Sequence, residues 1–443
     1  MTADWLADHP EAHSIRAAAA DLNGQARGKR LPRRTAAKAS GGSLRMPLSA
    51  LNVDIRGEDI ADSPLLFDTG DQDGWLRPTD RGMVPMPWLA NPAGFLPMWM
   101  YREDGTPFPG DPRHALQSVL DRYAAEGWHP VVATELEFYL VDISDGAPRP
   151  PRPDAGLPDQ GGEVLSIRSL DAFDAFFSDL YDACDAMGIP ADAAIAESGL
   201  GQFEINLTHG PAMTAADDAW LFKMLAKGMA RKHGFAASFM AKPYAAQAGS
   251  GMHMHFSVVT SDGENIFDDG TAVGSDVLRA GVAGCLDAMA DSTLIFAPHA
   301  NSYDRMVPGA HAPTGISWAY ENRTAAIRVP GGPPAARRIE HRSAGGDVNP
   351  YLLIAAVLGA ALVGIEDGLT PPDPVTGNAY ALDLPQIPTD WGVAIDRFSS
   401  SGEMKRIFSR ELIRNLTLTK RQEFALCATL GGPDQTRLYL EAV

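Results

Sequence analysis

Four segments of this chain alternate in a way that only a β-strand can exploit, because side chains two apart along a strand share a face. In TELEFYL, Glu135 and Glu137 point one way and Leu136 and Phe138 the other. In GQFEINL, Gln202, Glu204 and Asn206 oppose Phe203, Ile205 and Leu207. In GMHMHFS, His253, His255 and Ser257 oppose Met252, Met254 and Phe256, and in RRIEHRS, Arg338, Glu340 and Arg342 oppose Ile339 and His341. A strand that only faces water mixes Lys, Thr, Ser and Gln. Carboxylates, imidazoles and guanidiniums dominate these faces, which predicts one convergent site.

The residue types narrow the chemistry. Hard carboxylate oxygens in excess over imidazole select Mg²⁺ or Mn²⁺ rather than zinc. Glu135, Glu137, Glu197, Glu204, Glu340 and His253 are too many ligands for one Mg²⁺ that keeps its waters, so two or more ions are expected. Paired divalent ions beside Arg305, Arg323, Arg328, Arg338 and Arg342 describe a phosphoryl-transfer site, where positioning and charge neutralisation dominate. There is no GxxxxGK[ST] run, so a nucleotide is not held by a P-loop.

The Pro/Gly cluster Thr106–Pro112 marks a boundary, giving an N-terminal domain over 1–108 and a larger domain over 109–443. Beyond it, Asp111 and Pro112 open a helix that Gly127 stops, and Val131–Val141 reads as a strand. Helices follow over about Phe173–Met187, ending at Gly188, and about Thr214–His233. The apolar run Tyr351–Ile365 is too short to span a bilayer and reads as a buried helix capped by Asn349. Cys184, Cys285 and Cys427 are far apart and odd in number, which suggests neither a disulfide framework nor a zinc knuckle. With no basic and apolar leader at the start, a cytoplasmic protein is expected. A formal charge of −19 without a long basic stripe argues against nucleic acid and anionic membranes as partners.

With these residues in view, the chain resembles the glutamine synthetase family, and most closely its γ-glutamylputrescine (γ-glutamylpolyamine) synthetase branch. The matching pieces are DLNGQARGKRLP, VVATELEFYL, AIAESGLGQFEINL, FMAKPYAAQAGSGMHMHFS, NSYDRMVPGAHAPTGISWAYENRTAAIRVP and RRIEHRSAGGDVNPYLLIAA. The resemblance implies an α+β protein: a small N-terminal β-grasp domain, then a catalytic domain with a curved antiparallel sheet backed by helices. It also implies homo-oligomers of stacked rings, a dodecamer, with active sites between subunits. By motif, Glu137, Glu197 and Glu204 would hold one metal, and Glu135, His253 and Glu340 the metal at the ATP phosphates. Gly249, Arg305 and Arg342 would hold glutamate, Arg323 and Arg328 would face the transferred phosphate, and His255, Ser257 and Arg338 would line the nucleotide site. The implied reaction activates the γ-carboxylate of glutamate as an acyl phosphate at the expense of ATP, and a primary amine then displaces the phosphate.

Three departures bear on the amine. Ammonia-using members carry an Asp-Gly-Ser-Ser motif, and the corresponding stretch here is Met46-Pro-Leu-Ser-Ala-Leu, with Asp54 a few residues on as a possible substitute. Their flap carries a Glu six residues past the arginine, where this chain has His311, an imidazole suited to act as the base for the attacking amine. Their Asn-Gly-Ser-Gly-Met-His begins here with Ala248. Losing two carboxylates where a small cation binds favours a larger amine, putrescine or another polyamine. The alternatives are ammonia, a monoamine such as ethanolamine or methylamine, and a non-catalytic relative. Trp75, Trp318 and Tyr320 read as packing residues, and Tyr380, near a tyrosine adenylylated in some bacterial members, as a surface residue.

Overall fold

In the computed structural model the described residues are 2–144, 148–151, 163–307 and 312–443. Two sheets organise them. The first holds β1 (Ser14–Ala20), β2 (Ala26–Pro32), β3 (Leu44–Pro47), β4 (Asp73–Pro78), β5 (Val84–Pro85) and β6 (Ala93–Tyr101), in the order β2-β1-β6-β4-β3 with β5 also on β6. β1 and β6 run parallel and the other pairs antiparallel. Alternation splits its apolar residues: Ile15, Ala17, Leu76, Leu96 and Met98 form a small core of their own, while Ala18, Ala20 and Phe95 face the main core. Arg27, Lys29 and Arg30 lie on the largely exposed strand β2, where Arg27 pairs with buried Asp21 at 2.8 Å.

The second sheet carries the predicted strands. It comprises β7 (Trp128–Val141), β8 (Ala191–Ala196), β9 (Gln202–Pro211), β10 (Ala236–Ser238), β11 (Met252–Thr260), β12 (Trp318–Tyr320), β13 (Ile327–Val329) and β14 (Ile339–His341), in the order β12-β13-β14-β11-β7-β9-β8 with β10 on β7. Only β12 and β13 pair in parallel. Helices Pro112–Ala125, Ala212–Lys232, Asp276–Asp287 and Pro350–Glu366 back it.

The helix boundaries follow local chemistry. Asp111 accepts from the amide of Arg113 with Pro112 in the first turn, and Asn349 accepts from Tyr351 and Leu352 ahead of Pro350. The helix Asp174–Met187 ends on Gly188 at φ 62°, a left-handed cap that a residue with a Cβ adopts only at a cost. Pro350–Glu366 is buried over nearly its whole length, as its unbroken apolar composition requires. It crosses Asp276–Asp287 so closely that a Cβ on Gly284 would lie 2.2 Å from the Ala360 carbonyl oxygen.

Helices of the larger part also hold the first sheet through polar contacts at the β1–β2 turn. Trp220 Nε1 donates to Gly24 O at 2.7 Å, Asn349 Nδ2 to Asp21 O at 2.9 Å, and Lys420 Nζ to Asn23 Oδ1 at 2.7 Å. The three cysteines are free and buried. Among the described residues no helix is long and apolar enough to cross a membrane.

Candidate active site

Strand register brings the alternating faces into rows across the second sheet. Arg328, Glu340 and His255 lie side by side on β13, β14 and β11. His253, Glu135 and Asn206 form the next row on β11, β7 and β9, and Glu137 lies opposite Glu204 beyond them. Directly opposed residues in antiparallel strands hold their Cβ atoms about 5 Å apart, so each row is a line of contacts. One Glu135 oxygen accepts from His253 Nδ1 at 2.8 Å and the other from His255 Nε2 at 2.8 Å. Glu340 is fully buried between guanidiniums: Arg328 donates to it at 2.8 Å and Arg342 bonds its other oxygen. Glu137 accepts from the Gly251 amide at 2.7 Å. Glu197 directly follows β8, the strand that pairs with the Glu204 segment.

These carboxylates differ in charge state for physical reasons. Burial opposes ionisation of Glu135, but hydrogen bonds from His253 and His255, with their charge, prevail and hold it well below the usual range. Glu340 is likewise held down against its burial, chiefly by Arg342. Glu197 is pushed up to about 7 by burial and by the charge of Glu137. Glu204 is pushed up to about 9 by burial and by Glu135, Glu137 and Glu197. Crowded acids whose ionisation is resisted by one another are what a divalent cation relieves, so the donor set fits hard metal ions. Ligand atoms of Glu135, Glu204 and His253 lie within 4.8 Å of one another, as do those of Glu135, His255 and Glu340. This grouping differs from the one implied by motif: Glu135 faces both clusters. His255, expected only at the nucleotide, stands 4.0 Å from Glu340.

Beside the clusters opens a cavity of ≈ 500 Å³, whose lining includes Glu135, Asn206, His255, Ser257 and Arg338. Arg338 Nε approaches His255 Nδ1 at 3.4 Å. On the other side, Arg305 is buried and donates to the Ser343 carbonyl at 2.9 Å, with its stem against Gly249. Gly249 leaves room for it: a Cβ there would lie 2.7 Å from Arg305 Cγ. Arg323 is exposed in the turn after β12, and its charge reaches Glu197.

Other expected residues fall elsewhere. Asp54 is buried in its own loop, with one oxygen accepting from the amides of Arg56 and Glu58 and the other from Gln422 at 3.2 Å, so the structure does not bring it to the clusters within one chain. His311 lies outside the described residues. Tyr380 is half-buried rather than a plain surface residue; burial raises its hydroxyl while the charges of Arg342 and Arg305 reach it. Trp75 stacks under Arg45 in the first sheet, and Trp318 packs edge-on to Tyr320.

Two residues escaped the sequence reading. Gln202 bonds the Gly249 carbonyl at 2.9 Å and the Gly199 amide at 3.0 Å, tying β9 to the glycine loop; its place on the Glu204 face was the available signal. Asp71, in left-handed backbone at φ 55°, meets Ser49 Oγ at 2.6 Å, bringing a carboxylate to the stretch that lacks one. Nothing in linear spacing announces that contact.

The fold and this site define a glutamine-synthetase-type ligase, an ATP-dependent amide synthetase. The glutamine synthetase catalytic domain family matches residues 109–439, and the chain belongs to that family. It is 36% identical over 407 residues to γ-glutamylputrescine synthetase of Escherichia coli (strain K12), covering 91% of this chain and 86% of that protein. It is 33% identical over 367 residues to γ-glutamylethanolamide synthetase of Streptomyces coelicolor, covering 82% and 79%. Among solved structures, GmaS in complex with ADP superposes with a TM-score of 0.85 at 27% identity over 99% of both chains. Enzymes of this family use ATP and divalent metal ions.

Proposed function

We propose that this enzyme joins the γ-carboxylate of glutamate to a polyamine, with putrescine as the leading candidate. The observation that carries the ligase reading is the row arrangement of carboxylates, imidazoles and guanidiniums on one sheet face. The ions, Mg²⁺ or Mn²⁺, would be held by Glu135, Glu137, Glu197, Glu204, His253 and Glu340, with His255 beside them. When bound they screen the repulsion between the glutamate carboxylate and the triphosphate. Arg305 and Arg342 would orient glutamate beside Gly249, while Arg323 and Arg328 stabilise charge on the transferred phosphoryl group. Ser257 and Arg338 would hold the nucleotide in the cavity. His311 would accept the proton of the attacking ammonium group.

Support for a polyamine comes from Ala248, from the negative field of a −19 chain toward a dication, and from the likeness to γ-glutamylputrescine synthetase. A monoamine is the second reading, favoured by the likeness to γ-glutamylethanolamide synthetase. We further propose domains over 1–108, of β-grasp type, and 109–443, and assembly as a dodecamer of stacked rings. Phosphate release with ATP, Mg²⁺ and glutamate, measured against ammonium, methylamine, ethanolamine, putrescine, cadaverine and spermidine, tests the substrate. Highest kcat/KM is expected with a diamine or polyamine, and best turnover with ammonium would reject that reading.

A further inference from the structure

Arg305 is held at two points by one stretch of chain. Its guanidinium donates to Ser343 O at 2.9 Å, and the short helix that carries it, Ser302–Arg305, is tied at its start where Ser302 Oγ donates to Asp347 Oδ2 at 2.6 Å. Ser302 Oγ in turn accepts from the His299 amide at 3.0 Å. Asp347 is 1% exposed, and among the described residues its second oxygen has no hydrogen-bond partner. Neither has Nε2 of buried His299. Both residues line one small cavity of ≈ 10 Å³. His299 Nδ1 lies 2.7 Å from a Glu423 oxygen and 3.3 Å from Lys420 Nζ; the shorter contact, to a carboxylate that can only accept, places the ring proton on Nδ1 and makes Nε2 an acceptor. Two acceptors across a cavity of about one probe sphere need a group that donates twice, and a water molecule does so.

We propose that Asp347 is a positioning residue for Arg305, acting through Ser302, and that one buried water joins Asp347 Oδ1 to His299 Nε2. The chain of contacts then continues through Glu423, which accepts from Lys420 at 3.0 Å, to Asn23 in the β1–β2 turn. Gly345 is part of the device, because a Cβ there would lie 2.4 Å from Asp347 Oδ1. The inference deepens the proposed glutamate site and rests on Arg305 serving it.

The test compares Asp347→Asn, Ser302→Ala and Ser302→Thr with Arg305→Lys in the full-length enzyme, reading KM for glutamate, KM for ATP, kcat and thermal midpoint. Asp347→Asn and Ser302→Ala are expected to raise the glutamate KM about tenfold with the ATP KM within about twofold, to reproduce the kinetic signature of Arg305→Lys, and to add little in combination with it. Ser302→Thr, which keeps the hydroxyl, restores the wild-type values. If Arg305→Lys alters a parameter other than the glutamate KM and Asp347→Asn follows it, the glutamate reading fails while the positioning role stands. Effects of Asp347→Asn that are unlike those of Arg305→Lys, or fully additive with them, overturn the proposal, as does a crystal structure with no density between the two atoms.

Discussion

Replacing Gly249 with alanine isolates the geometry of the glutamate side. The new Cβ would lie 2.7 Å from the Ala241 carbonyl oxygen, 2.7 Å from Arg305 Cγ and 3.0 Å from Arg305 Cδ. The carbonyl cannot swing away, because it accepts from the Ser250 amide at 2.9 Å. The glycine loop must therefore shift off that carbonyl, and the stem of Arg305 must yield by about 0.7 Å to regain the 3.4 Å of ordinary contact. Its guanidinium is anchored on Ser343 O, so the shift passes into the charged group or breaks that bond. A misplacement of about 1 Å at a substrate-orienting group costs roughly 10²-fold in rate. That corresponds to about 2.7 kcal/mol of transition-state stabilisation. Initial rates of phosphate release at saturating ATP and amine, with glutamate varied, are expected to show kcat/KM for glutamate down about 100-fold, with ADP affinity changed by less than about twofold. Gly281→Ala is the control: its Cβ meets nothing nearer than Ile339 Cδ1 at 3.4 Å, so activity stays and the helix gains roughly 0.5–1 kcal/mol. A folded Gly249→Ala enzyme with wild-type kcat/KM for glutamate would refute the reasoning.

Glu340→Ala should abolish phosphate release with every amine and destabilise the fold by about 3–5 kcal/mol, since Arg328 and Arg342 lose a fully buried counter-charge; activity together with a wild-type thermal midpoint would mean that neither role is real. The raised Glu197 and Glu204 set the sign of two pH effects. Between the ordinary carboxylate range and pH 7 to 9 the folded, metal-free protein holds protons that the unfolded chain has lost, so its stability falls as pH rises through that window. Mn²⁺ must displace those protons, so its affinity rises over the same window with net proton release, which calorimetry in buffers of different ionisation enthalpy measures directly. A pH-independent affinity from 6 to about 9 would contradict the assignment.

Much of this site is written in two-residue periodicity, and the structure explains where that reading is complete. TELEFYL, GQFEINL and GMHMHFS lie on long strands whose other face is apolar and buried, so alternation alone fixed which side chains converge. RRIEHRS is harder: only Ile339–His341 is strand, and Arg338 and Arg342 flank it. Helix ends with a side-chain cap and proline, at Asp111 and Asn349, were placed from sequence to the residue. Contacts that close across long separations were not legible. Asp71 on Ser49, and Asp347 on Ser302 at a cavity shared with His299, depend on register and packing that no local pattern encodes. Partition of the ligands was equally invisible, because Glu135 serves two neighbours only once β11 lies beside β7.

The three hydrogen bonds onto the β1–β2 turn change what a boundary near residue 108 means. Excising the first sheet would remove the acceptors of the Trp220 indole and the Asn349 side-chain amide, at about 1–3 kcal/mol for each, and would leave the ammonium of Lys420 its bond to Glu423 but take away the one to Asn23. Asn349, the cap of the central helix, and Lys420 are both buried in the intact chain and would lose that cover. The larger sheet is thus no autonomous fragment. Its interior is completed by a turn made near the very start of the chain, so a truncated version presents a polar wound at its centre rather than a clean surface.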